Sequence, residues 1–267
     1  MLECAAMTTG LWQIYAVRYA KHMRTTHENF MGGDPHDVSP MPMDYFVWAA
    51  ISGDGTFVVD TGFDAPMAKK RGREYLHPPG EGLKTLGIDP AKVEDVIITH
   101  MHYDHCGNHA LFPNARYHVQ DREMRYCTGR SMTHSLAKFP FEEDDVVAMI
   151  RRLYAGRIVF HDGDEELAPG LSLHHVGGHT MGMQVVRVNT RRGFVVLASD
   201  SSHYYANIER GLPYPVTYNV TEVLEGYRKV YSLASSREHV IPGHDPLVLE
   251  RYPAPRPELQ GWVARLD

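Results

Sequence analysis

The apolar residues of this chain fall into short runs bounded by Gly, Pro, Asn and Asp, and the spacing inside each run predicts its element. "LWQIYAVRYA" (residues 11–20) reads as a first strand. "YFVWAAI", the turn "SGDG" and "TFVVD" give a hairpin signal with Asp54-Gly55 at the turn. A short helix through "GEGLKTLGI" and a loop at Asp89-Pro90 lead into "VEDVIIT", a continuous apolar strand. In "FEEDDVVAMIRRLYAG", Val146, Met149, Ile150 and Leu153 recur at helical spacing. Acids at its front and arginines at its back suit the helix dipole, and Gly156 ends it. "RIVFHDGDEELAPGLSLHHVGGH" and "MQVVRVNTRRGFVVLASD" form a second run of strands. "NVTEVLEGYRKVYSLA" is a strong helix, with Asn219 and Glu222 spaced as a capping box.

This order of elements predicts an α+β fold of two sheets covered by helices rather than a doubly wound parallel sheet. No repeat, low-complexity block or long linker divides the chain, so residues 1–267 read as one domain. Residues 22–43, with Gly32, Gly33, Pro35, Pro40 and Pro42, form a loop too long for a simple connection. It reads either as a lid, with Phe30 and Met31 offering apolar contact to a ligand, or as a surface or dimer-contact segment. A homodimer is compatible with the second reading.

Composition narrows the class. The chain is 43% hydrophobic and 22% charged, as in ordinary soluble proteins. A net charge of −6 gives no electrostatic reason to bind nucleic acid or anionic membrane. No apolar run approaches the length of a bilayer span. Cys4, Cys106 and Cys127 match no zinc-ribbon spacing and cannot make a disulfide framework, which suits a reducing compartment. The N-terminal stretch has no basic segment before its apolar part, and Thr8, Thr9 and Gln13 interrupt it. A signal peptide is therefore not expected, and the expected location is cytoplasmic.

The 17 histidines direct attention to metal ligands. His100, His102, Asp104, His105 and His109 crowd the end of the "VIIT" strand. Strand ends are where sheets build sites. His100 and His102 can point the same way while the chain is extended, and Gly107 lets the backbone curl after Asp104 and His105. Three further candidates end apolar runs: His179 in "VGGHTMG", Asp200 in "VVLASD" and His244 in "HVIPGHD". Each alone is a common turn residue. Four such segments in one chain outweigh a solvated-loop reading.

The pattern His100-Met101-His102-Tyr103-Asp104-His105, followed by His179, Asp200 and His244, resembles the metallo-β-lactamase superfamily. "VVDTGFD" is similar to that superfamily's early strand ending in Asp60, which backs a ligand instead of binding metal. The resemblance spans roughly residues 45–245 and implies an αββα sandwich of two mixed β-sheets. Within the superfamily, "HMHYDHCGN", "GGHTMGMQ", "LASD" and "IPGHD" most resemble the N-acyl homoserine lactonase group. That implies two divalent metal ions. His100, His102 and His179 would hold one, Asp104, His105 and His244 the other, and Asp200 would bridge. Zinc suits this donor set, with iron, cobalt or manganese as alternatives.

The implied reaction is opening of a lactone ring by a metal-bridging hydroxide, with Asp104 shuttling a proton to the leaving alkoxide. One departure stands out. Lactonases carry a tyrosine three residues after the bridging aspartate, where this chain has His203, then Tyr204 and Tyr205. A one-residue bulge would bring Tyr204 to the substrate carbonyl, or His203 would take that role. Alternatives on the same fold are a thioester or ester hydrolase of the glyoxalase II kind and an iron-dependent sulfur dioxygenase. Cys106 is expected to be a packing residue.

Overall fold

The computed structural model describes residues 10–267 of the chain, so Cys4 lies outside the described residues. The larger sheet is built from β1 (Gln13–His22), β2 (Met43–Ser52), β3 (Gly55–Val59), β4 (Glu74–Tyr75), β5 (Asp95–Ile97), β6 (Arg116–Gln120) and β7 (Ile158–His161). The smaller contains β8 (Glu165–Ala168), β9 (Leu171–His175), β10 (Gln184–Thr190), β11 (Gly193–Ser199) and β12 (Val240–Pro242). A last strand, β13 (Val263–Arg265), returns to pair antiparallel with β1. The strand orders are β13-β1-β2-β3-β5-β6-β7, with β4 also on β1, and β12-β11-β10-β9-β8. Both sheets are mixed. β3, β5, β6 and β7 run parallel, as do β11 and β12, and the remaining pairs are antiparallel.

Side-chain alternation explains why both faces of both sheets are apolar. On β1 and β2, Ile14, Ala16, Phe46 and Trp48 enter the core between the sheets, where Val186, Val188, Val195 and Leu197 meet them. The residues between them, Tyr15, Val17, Tyr45 and Val47, face an outer core under the helices of the first half. Likewise Val185, Val196 and Ala198 point outward onto Val223, Tyr227 and Val230 of the helix Val220–Leu233. A two-residue period therefore feeds three cores stacked between four layers, the αββα arrangement. Each fully buried large side chain contributes about 1.5–3 kcal/mol.

The first strand, the hairpin and the two long helices lie close to where their periodicity predicts. The "VEDVIIT" strand is shorter than expected, only Asp95–Ile97, because Ile98 and Thr99 already turn toward the histidine loop. Strand β6 escaped the hydrophobic pattern because its inward positions are polar. His118 bonds Asp95 (2.9 Å) and His161 (3.0 Å), and Gln120 Nε2 donates to Gln184 (2.9 Å).

The helix Glu143–Tyr154 carries a buried acid, Asp145, whose Oδ1 is 3.8 Å from His109 Nε2 and whose Oδ2 has no hydrogen-bond partner. Burial, then repulsion from Glu142, Asp144 and Asp64, pushes its carboxyl up to about 7. A raised folded-state value gives stability that is complete below the ordinary carboxyl value and lost as pH climbs through 7. Asp145→Asn should therefore add almost nothing near pH 4 and roughly 2–4 kcal/mol at pH 8. Urea unfolding of the metal-free protein at both pH values checks this. An equal gain at the two would show that the carboxyl is unperturbed.

Candidate metal centre

β5 ends at Ile97, and the chain turns through His100 and His102 into a one-turn helix at Tyr103–Cys106 that carries Asp104 and His105. Asp60, at the end of β3, shapes this turn. Its carboxylate accepts from Thr99 N (2.8 Å), Thr99 Oγ1 (2.8 Å) and His105 Nδ1 (2.7 Å). Asp60 and Ser199 are the non-glycine residues with positive φ among the described residues, at 60° and 43°, and both sit at the ends of strands beside the site. His179 follows β9 on the loop before β10, Asp200 follows β11, and His244 follows β12. Gly243 is required by close approach, since a Cβ there would lie 2.7 Å from Asp200 Oδ1.

All seven expected residues are buried and converge. His179 Nε2 lies 3.1 Å from His100 Nε2 and 3.0 Å from His102 Nδ1. On the other side, His105 Nε2 is 3.7 Å and His244 Nε2 3.8 Å from Asp104 Oδ2. Asp200 stands between the groups. Its Oδ2 is 3.3 Å from His179 Nε2, while Oδ1 is 2.8 Å from His244 Nε2 and 3.2 Å from His105 Nε2. His109 does not join them, being held near Asp145 instead.

The back nitrogens show that this set fits cations. His179 Nδ1 contacts Val216 O (2.7 Å), His244 Nδ1 contacts Asp44 O (2.8 Å), and His105 Nδ1 contacts the Asp60 carboxylate. A carbonyl or carboxylate only accepts, so each Nδ1 carries a proton and Nε2 is the atom each ring has left to meet a cation. Burial alone would lower His105 and His244, but the Asp200 and Asp104 carboxylates raise both above the usual histidine range, and His105 Nε2 and Asp200 Oδ1 are still buried without an aligned hydrogen bond. Bound cations would displace those protons and satisfy both atoms. Burial, then the neighbouring imidazoles, holds His100 and His102 well below the usual histidine range, in the neutral form that ligation needs. Burial alone would raise the Asp200 carboxyl, but His244, His105 and His203 hold it well below the ordinary range.

Two acids hold the loops together, Glu123 unforeseen in the sequence and Glu222 in a role other than its expected one. Glu123, fully buried on the helix Asp121–Cys127, accepts from Met101 N (2.8 Å) and Gly182 N (3.0 Å). It thus ties the His100 loop to the His179 loop. Glu222 was expected to close a capping box. Asn219 caps as expected, accepting from Thr221 N and Glu222 N, but Glu222 Oε2 accepts from Gly178 N (3.2 Å) next to His179.

The tyrosine expectation is corrected. No bulge delivers Tyr204, whose hydroxyl donates to the carbonyls of Pro42 and Met41 (3.3 and 3.4 Å) and is buried there. Tyr205 lies under the Arg251 guanidinium. His203 is the residue at the centre, its Nε2 2.9 Å from Asp200 Oδ2. Tyr214, unflagged in the sequence, stacks on the His203 ring with centroids 3.5 Å apart and donates to Asp200 O. Phe30 is also buried, beneath Arg210, and Met31 N donates to Pro213 O. Neither is among the residues lining the cleft beside the histidines. That cleft, about 450 Å³, is walled by His102, His179, Tyr126, Leu136, Phe139 and the segment 215–218. It is mostly apolar, and Cys106 is packed in the outer core. Among the described residues, no helix is long and apolar enough to cross a membrane.

The family described as the metallo-beta-lactamase superfamily matches residues 42–248. An N-acyl homoserine lactonase of a Bacillus species is 31% identical over 133 residues, 49% of this chain and 48% of that protein. One from Azorhizobium caulinodans is 30% identical over 168 residues, covering 61% and 62%. The chain thus matches about half to three-fifths of these curated relatives' length. A quorum-quenching N-acyl homoserine lactone lactonase superimposes with a TM-score of 0.74 at 20% identity, covering 90% of this chain and 94% of that one. A dizinc quorum-quenching lactonase bound to a homoserine product gives 0.68 at 14% identity, with 90% of each covered.

Proposed function

The chain belongs to the metallo-β-lactamase superfamily, and from that premise we propose that it is a dinuclear metal-dependent hydrolase that opens N-acyl homoserine lactones. The observation that carries the reading is the division of Asp200. One carboxylate oxygen faces His179 and His100, and the other faces His105 and His244. A single cation would leave one of these sets without a partner. Two divalent cations, with zinc suited to the donors, would supply an acidic water and a Lewis acid for the carbonyl.

The chain's own residues do the rest. The apolar cleft beside His102 and His179 takes the acyl chain and excludes water from it. Asp104, more accessible than Asp200 (11% against 4% of its side chain), takes the proton released when water adds to the carbonyl carbon. It returns that proton to the ring oxygen as the C–O bond breaks, leaving an N-acyl homoserine. The kinship with N-acyl homoserine lactonases supports this substrate over other cyclic esters.

Purified protein should hold about two metal ions per chain, falling to about one when His105 and His244 are both replaced by alanine. The metal-loaded enzyme, assayed on lactones, thioesters, β-lactams and phosphodiesters, should turn over acyl homoserine lactones fastest. Faster thioester turnover would transfer the assignment to a glyoxalase II-like hydrolase.

A further inference from the structure

We propose that His203 is a hydrogen-bond donor that orients the bridging carboxylate of Asp200, and is neither a metal ligand nor a substrate contact. Distance alone does not separate these roles. His203 Nε2 is 2.9 Å from Asp200 Oδ2, and the donor atoms of His179, Asp200 and His203 lie within 4.8 Å of one another, as in the other ligand trios.

The back nitrogen separates them. Behind His179, His105 and His244 an acceptor sits against Nδ1 and holds a proton there, which leaves Nε2 as the atom that can meet a cation. Behind His203 there is none: its Nδ1 is buried with no hydrogen-bond partner. Turning the Nε2 lone pair toward a cation would place N–H on that Nδ1. Buried N–H groups without an acceptor are rare in folded proteins, and under-satisfied acceptors somewhat less so. The opposite tautomer directs Nε2–H at a carboxylate oxygen, a charge-assisted bond of ordinary length. His203 therefore carries its proton on the opposite nitrogen from the three ligand rings.

The surroundings hold the ring in this pose. Tyr214 stacks on it at 11° between planes, and the same tyrosine's hydroxyl donates to the main-chain carbonyl of Asp200. One aromatic residue thus braces both the acid and the ring that orients it. The backbone is pinned as well, because Gly243 N donates to Ser202 O and His244 N to His203 O, both at 2.9 Å. His203 N–H occupies one lone pair of Oδ2 and leaves the other for the set of His100, His102 and His179. Oδ1 stays free for His105 and His244.

The inference rests on the two-cation reading in taking Asp200 as the bridge. Two variants test it: His203→Phe keeps a ring for Tyr214 to stack on but removes the N–H, and His203→Gln restores a donor. Readouts are metal content, affinity for the weaker-held ion by chelator competition, and the visible spectrum of the cobalt-substituted protein. His203→Phe should keep two ions and a cobalt spectrum of unchanged coordination number. Affinity should fall about 10–100-fold, the usual effect of losing a group that backs a ligand. His203→Gln should recover most of it. Loss of one ion, or a drop in coordination number, would make His203 a ligand. A raised KM with unchanged metal affinity would make it a substrate contact, and a glutamine variant no better than phenylalanine would leave it a packing residue. One ion or none in the unaltered protein would instead overturn the dinuclear reading.

Discussion

Asp200→Asn should lower turnover about 100- to 1000-fold, the scale on which loss of one preorganised electrostatic group is felt. The fold should survive, because the amide matches the carboxylate in size and the Asp200 main chain keeps its bond from Tyr214. What disappears is charge. Both oxygens of Asp200 face imidazole nitrogens, at 2.8 and 3.2 Å on one side and 3.3 Å on the other. An amide cannot present an anionic oxygen to both sides, and its NH2 would press a donor against one would-be cation. Steady-state kinetics with metal analysis read the result. Near-normal turnover with two ions bound would show that Asp200 does not bridge.

The second large effect is on stability. Glu123→Ala strips acceptors from two backbone N–H groups, Met101 and Gly182, in a place water does not reach. At about 1–3 kcal/mol for each stranded group, the loss is roughly 2–6 kcal/mol. For a chain of this size that lowers Tm by roughly 4–12 °C. Metal affinity should fall with it, since the two tethered loops carry His100, His102 and His179. Thermal unfolding with and without metal measures both. An unchanged Tm in the alanine variant would mean that the loops hold themselves.

The seven residues gathered at the metal centre were legible because each follows an apolar run closely enough that the strand pattern locates it. The supporting groups were not. Glu123 stands in "VQDREMRY", where one more acid on a polar helix looks solvated, and only the approach of two loops buries it. β6 was hidden because its inward residues are polar: His118 bonds His161 of the neighbouring strand, and Gln120 bonds Gln184 of the other sheet. His203 and Tyr214 are eleven positions apart, and a stack at that separation has no periodic signature. Phe30 looked like a ligand contact because its loop is long and rich in glycine and proline, yet Arg210 covers its ring.

The spread of the metal-binding residues along the chain has a consequence for how the protein is made. His100 to His105 form a compact chelating stretch, whereas His244 arrives only with β12, the strand that completes the smaller sheet. During synthesis the early stretch leaves the ribosome as an unstructured peptide already able to capture a cation, long before its partners exist. A cation held there lowers the free energy of the unfolded ensemble as well as that of the native state, and the stabilisation gained on folding shrinks accordingly. Scarce free metal during translation, with loading after both sheets have closed, gives the finished protein the larger gain.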